Sequence, residues 1–173
     1  MQAILNRLAA YPDGAWLLLL DPVRLGDGAA WLERHGEAFE YGCLLYRQEE
    51  DVEAVAPHLA LIRDRAAAAE AIGAVWSQQV IVLAHSPTLV ELAPAQRYFR
   101  KFNIVYLPAG QPAFFRYYDP RVLPHLIENL DPTQLERLYE QIDCYLVPGK
   151  GGRGGKLYAR AAGGPSCTEL DIR

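Results

Sequence analysis

Cysteine is scarce in this chain of 173 residues: Cys43, Cys144 and Cys167 lie far apart and make an odd count. That argues against a disulfide framework and against a CxxC metal site. It leaves each cysteine as a small apolar side chain suited to a reducing cytoplasm. Histidine is also sparse, and the spacing of His35, His58, His85 and His125 matches no zinc pattern. No metal or cofactor is expected. Long apolar runs are missing. The strongest near the start, Ala15–Leu20, is far too short to span a bilayer and sits between Asp13 and Asp21. No basic segment with a small-residue cleavage site precedes it, so no signal peptide is read. An excess of one charge is missing too. With 17 basic and 21 acidic residues interspersed, net charge -4, nothing electrostatic points to nucleic acid or an anionic membrane as partner.

What is present is apolar content, 51% of the residues, enough for one sizeable core. The expectation is a single domain over 1–163 and a loosely held tail, 164–173, led by Gly-Pro-Ser. Along the chain, WLLLLD (16–21) reads as a buried strand ending in a turn. Asp27 can cap a helix through about His35, with Ala30, Trp31 and Arg34 on one face and Gly36 after it. YGCLLY (41–46) reads as a strand. The acidic run Glu49–Asp51 with Glu53 reads as a solvated loop, and APHLALI (56–62) is ambiguous because of Pro57. Asp64 caps the alanine-rich RAAAAEAIGAVW, and VIVLAHS (80–86) is the clearest strand. A helix over about Thr88–Phe102, bent at Pro94, comes next. NIVYLP (103–108) and PAFFRYY (112–118) then flank a short hairpin loop. CYLV (144–147) and KLYAR (156–160) are strands joined by a glycine-rich loop. The order suggests an α/β fold, or α+β: a mixed-direction sheet flanked by helices.

The stretch FFRYYDPRVLPHLI (114–127) concentrates unusual chemistry. As a strand it places Phe115 and Tyr117 on one face and Phe114, Arg116 and Tyr118 on the other. Aromatics on both faces imply cover on both, so Arg116 needs a carboxylate or carbonyls as partners. Asp119-Pro120 is a helix-start signal. Alternatively the helix begins near Pro124, with Asp119–Val122 as a tight turn. Leu123, Leu126, Ile127 and Leu130 then form an apolar stripe. Asp131-Pro132-Thr133-Gln134 has capping-box spacing before a second stripe of Leu135, Leu138, Tyr139 and Ile142. Two short helices, each introduced by Asp-Pro, would pack against the sheet. Arg116 and Asp119 are expected to hold the junction. Tyr117, Tyr118 and Arg121 are the candidates for partner contact.

Catalytic chemistry is hard to find. His85 ends a strand, but Ser86 beside it lacks the G-x-S-x-G elbow. A small hydrolase or transferase using His85 remains the alternative to a binding protein. The run GKGGRGGK (149–156) departs from a Walker loop and has no helix after it to receive a phosphate, though a nucleotide binder stays open. Arg97, Arg100 and Lys101, with Lys150, Arg153, Lys156 and Arg160, read as solvated charge.

The order of these pieces resembles the effector chaperone and adaptor family of bacterial type VI secretion systems. Members carry an aromatic–Arg–aromatic–Tyr–Asp–Pro–Arg–Val–Leu signature. Here Phe115, Arg116, Tyr118, Asp119, Pro120, Arg121 and Leu123 match it in register. WLLLLDPVR, with Asp21 at the strand end, APHLAL, AQRYFRKFNIVYLP and LDPTQLERLY resemble the family's other elements, so the likeness covers 12–147. The resemblance implies a cytoplasmic, non-enzymatic protein that binds a toxic effector and helps load it onto the spike protein VgrG. Members often carry a further variable region after the signature helices. Here an effector-binding lobe of that kind would be small or missing.

Overall fold

The computed structural model describes residues 2–45, 56–107 and 109–171. The acidic run Glu49–Asp51 with Glu53 lies outside the described residues.

Strand β1 (Ala15–Leu20) is buried from Trp16 onward. A strand apolar on both faces needs cover on both. Trp16, Leu18 and Leu20 enter a core shared with helices α1 (Gln2–Ala9), α2 (Gly28–Arg34) and α3 (Arg65–Val75). Leu17 and Leu19 enter a second core, shared with α4 (Leu92–Arg100), α5 (Leu123–Asn129) and α6 (Pro132–Leu138). The result is one sheet between two helical layers.

The remaining strands are β2 (Phe39–Cys43), β3 (His58–Ile62), β4 (Ile81–Ser86), β7 (Cys144–Pro148), β8 (Gly155–Ala159) and β9 (Ser166–Leu170), arranged in the order β2-β3-β1-β4-β7-β8-β9. A separate two-stranded sheet pairs β5 (Ile104–Tyr106) with β6 (Pro112–Phe114). The helix-flanked sheet is the expected class. Its direction is more uniform than expected, because every neighbouring pair runs antiparallel. The ambiguous 56–62 stretch resolves as β3, with His58–Ile62 buried throughout.

Local caps behave as their chemistry requires. Asp27 Oδ1 accepts from Ala30 N, and Asp64 Oδ1 accepts from Ala66 N and Ala67 N. Asp131 and Gln134 complete a reciprocal capping box.

Other boundaries moved. The second strand begins at Phe39 rather than Tyr41 and ends at Cys43. Helix α4 begins at Leu92, which puts Pro94 in its first turn, where a missing N–H is tolerated and no bend is needed. Helix α1 was not anticipated, although Ile4 and Leu8, one turn apart, are its buried anchors. The tail expected to be loose instead forms β9, which pairs with β8 from Ser166 to Leu170. Its polar residues suit an edge strand: main-chain bonds on one side order it without a buried side-chain set.

Candidate functional site

The hairpin strand β6 stops at Phe114, not at Tyr118. The two-face alternation expected for 114–118 therefore fails. Past Phe114 the chain turns inward, and both Tyr117 and Tyr118 are buried. The Tyr117 hydroxyl donates to Phe99 O at 2.8 Å, and its ring lies parallel to Phe99 and edge-on to Phe102. Burial pushes the Tyr117 phenol well above its ordinary value and that of Tyr118 to about 12. These tyrosines are core residues, so the partner contact expected of them does not follow from their position.

Asp119 and Pro120 open a turn, with Val122 N and Leu123 N bonded to Asp119 O, and α5 begins at Leu123 with Pro124 in its first turn. Of the two readings left open, the later helix start is the one found. Leu123 and Ile127 are buried in the second core, which gives the turn a fixed base.

Around this turn two carboxylates and two guanidinium groups converge. Arg116 Nη2 donates to Asp21 Oδ2 at 2.5 Å and lies 3.3 Å from Asp119 Oδ2. Arg121 grips Asp119 with its fork, Nε to Oδ1 at 2.8 Å and Nη2 to Oδ2 at 2.6 Å, while its backbone N–H donates to Oδ1 at 2.9 Å. Arg121 Nη2 is also 3.7 Å from Asp21 Oδ2. The aspartate side chains are 0% and 5% exposed, the arginines 40% and 45%. Burial alone would raise the Asp119 carboxyl. The side-chain and backbone bonds from Arg121, with the charges of both arginines, outweigh it and hold the group below its usual range.

Asp21 also accepts weakly from Val23 N at 3.4 Å, capping the 3-10 turn Pro22–Arg24 that follows β1. The signature thus ties the end of the first strand to the entry of α5. Arg116 reaches Asp21 and Asp119 together, where Asp119 alone was the expected partner. Two charges of each sign cancel within the cluster, so it locks geometry and offers no net field to an anion. Arg121, a contact candidate from sequence, spends its fork on Asp119.

Apolar surface gathers beside this lock. Of the large hydrophobic side chains left exposed, four cluster on or next to the hairpin: Ile104, Tyr106, Leu107 and Phe114. Tyr106 is 75% exposed. Ile104 and Phe114 face each other across the two strands, and the Phe114 ring lies 6.4 Å from that of Tyr118, whose ring stands 6.0 Å from the Arg116 guanidinium. Next to the hairpin runs a groove of about 810 Å³. Its walls are β5, α5 and α6. Phe102, Val105, Phe115, Leu126 and Leu130 supply its apolar lining, and Lys101 and Glu140 form a 4.0 Å ion pair at its rim. Sequence reasoning missed this surface because Ile104, Tyr106 and Phe114 read as ordinary strand residues.

The other candidate groups serve the fold. His85 meets a carboxylate, Asp143 Oδ2, 3.0 Å from Nδ1, but its Nε2 lies 2.8 Å from Asp13 O and its ring packs against Tyr11 and Trp16. Ser86 points to the opposite sheet face, where its Oγ accepts from Thr88 N and Leu89 N. The two cannot act as nucleophile and base together. The glycine-rich loop packs on a 3-10 turn: Trp76 Nε1 donates to Gly154 O and Gln79 Nε2 to Gly149 O. Strand β8 follows it, so no helix begins directly after the loop. Arg100 donates to the carbonyls of Cys43, Leu44 and Leu45 and holds the exit of β2 instead of lying in a solvated patch. Among the described residues, no group of three or more His, Cys, Asp or Glu side chains is placed to hold a metal, and no helix is long and apolar enough to cross a membrane.

These features define a helix-flanked antiparallel sheet whose charged lock fixes an exposed apolar hairpin. The chain belongs to the family described as Domain of unknown function (DUF4123), which matches residues 16–137, from β1 through α6. No curated protein and no solved structure matches it.

Proposed function

We propose that this protein is a cytoplasmic, non-enzymatic chaperone and adaptor. It binds a toxic effector of a type VI secretion system, keeps it stable and promotes its loading onto the VgrG spike. One observation carries this reading: the hairpin presents exposed apolar residues, Ile104, Tyr106 and Phe114, beside an apolar groove that Ile104 also lines, and the family's own signature residues hold it in place. A grouped apolar surface with a polar rim is the composition of a protein-binding patch. The sequence resemblance supplies the partner class, and the family match covers both the lock and the groove-forming elements.

The lock then acts indirectly. Asp21, Arg116, Asp119 and Arg121 fix where the hairpin and α5 stand relative to the sheet, and so pre-form the surface that meets the effector. Co-expression tests the proposal. The effector should co-purify one-to-one with this chain and lose solubility or stability without it. An effector equally soluble alone, and absent from the purified chain, would rule the proposal out.

A further inference from the structure

The hairpin has a main-chain asymmetry that the adaptor reading does not use. Phe115 N donates to Asn103 O and Leu107 N to Gln111 O. With Ile104 opposite Phe114, Val105 opposite Ala113 and Tyr106 opposite Pro112, bonded pairs alternate along the ladder. Val105 therefore turns its N–H and C=O toward β6, while Ile104 and Tyr106 turn theirs outward. Pro112 opposite Tyr106 agrees, since proline fits a position that donates nothing to the ladder. Among the described residues no partner takes the outward groups of Ile104 and Tyr106.

The two edges of the hairpin are not equivalent. The outward side of β6 contains Pro112, which has no N–H to offer. Ile104 and Val105 of β5 line the groove, whereas Pro112–Phe114 do not. The edge with its full set of donors and acceptors is thus the one that borders the apolar groove, and α6 forms the facing wall. The ends of the large sheet differ. At the exit of β2, side chains of Gln96 and Arg100 already take Cys43 O. The outermost strand β9 is polar, Ser-Cys-Thr-Glu-Leu, and none of its residues lines this groove.

We infer that β5 is a strand-accepting edge: an extended apolar segment of the partner protein pairs with Ile104 and Tyr106 and sets alternate side chains into the groove against Phe102, Val105, Phe115 and Leu126. An extended occupant is favoured over a helix because only a strand satisfies the outward main-chain groups of β5 while filling an apolar trough. The rim carries both signs, Lys101 and Arg137 against Glu136 and Glu140, so the segment is apolar and close to neutral. The inference rests on the adaptor reading only for the identity of the protein that supplies the segment.

The test is selection of a displayed random-peptide library on the full chain. Selected peptides should alternate apolar and polar residues and exclude proline from the pairing positions. Tyr106→Pro should weaken them about tenfold more than Tyr106→Ala, since both lose the ring but only proline loses the outward donor. Should Tyr106→Pro fail to fold, N-methylation of alternate peptide residues makes the same test on the wild-type chain, and binding should fall for one alternation and persist for the other. Three results would overturn the inference: no enrichment, peptides with helical spacing of apolar residues, or indifference to both proline and N-methylation. An effector that fails to co-purify while such peptides still bind would instead count against the adaptor reading alone.

Discussion

Arg116 and Asp21, 95 residues apart in the chain, meet at 2.5 Å. Asp21 is fully buried and ends the first strand, and Arg116 follows the hairpin. Replacing Arg116 by alanine leaves Asp21 with the weak 3.4 Å bond from Val23 N and the 3.7 Å approach of Arg121. An uncompensated buried carboxylate costs about 3 kcal/mol. Arg116→Ala should lower the urea midpoint accordingly, and Arg116→Lys should recover only part of the loss, because both contacts are made by the terminal Nη2 and the shorter lysine side chain places its ammonium short of that position.

Asp119 predicts how the fold responds to acid. Its carboxyl is held below the ordinary 3.8 in the folded chain. A depressed carboxylate adds stability that is present above the unfolded value and is lost as pH falls through the folded one. Stability should therefore drop below about pH 4. Asp119→Asn should be less stable at neutral pH and show a shallower acid slope, as followed by denaturant melts across that range.

Gly152 predicts what the glycine-rich loop is for. Its φ is +72°, and an added Cβ would stand 2.2 Å from the Cα of Ser77. Gly152→Ala should cost at least about 2 kcal/mol. Thermal melts should show that loss, and millimolar nucleotide should leave the wild-type melting point unchanged.

Local chemistry was legible in the sequence wherever a side chain serves its own neighbourhood. Asp27, Asp64 and Asp131 each cap the helix that follows them, and the buried strands at 16–20 and 81–86 declare themselves by composition. Features set by distant contact were not. Arg116 pointed to its neighbour Asp119 but not to Asp21, which comes beside it only after β1 and the hairpin are both in place. Tyr117 and Tyr118 read as candidates for partner contact, whereas the chain leaves the hairpin after Phe114 and both rings fill the core. Strand β9 has no apolar pattern to find; its pairing with β8 defines it.

Tyr106 and Phe114 separate binding from folding. They are 75% and 48% exposed, so Tyr106→Ser and Phe114→Ser should change the melting point little. Each should weaken effector binding by about 1–2 kcal/mol in titration calorimetry, as truncation of an aromatic anchor does.

The most direct measurement is a pull-down from a lysate of the native host, with the wild-type chain and a Tyr106→Ser/Phe114→Ser double variant as parallel baits and bound proteins identified by mass. The account predicts that the wild-type chain recovers a large multidomain toxin or a VgrG spike protein, and that the well-folded double variant recovers much less of it. Recovery of neither by the wild-type chain, or equal recovery by both baits, would contradict it.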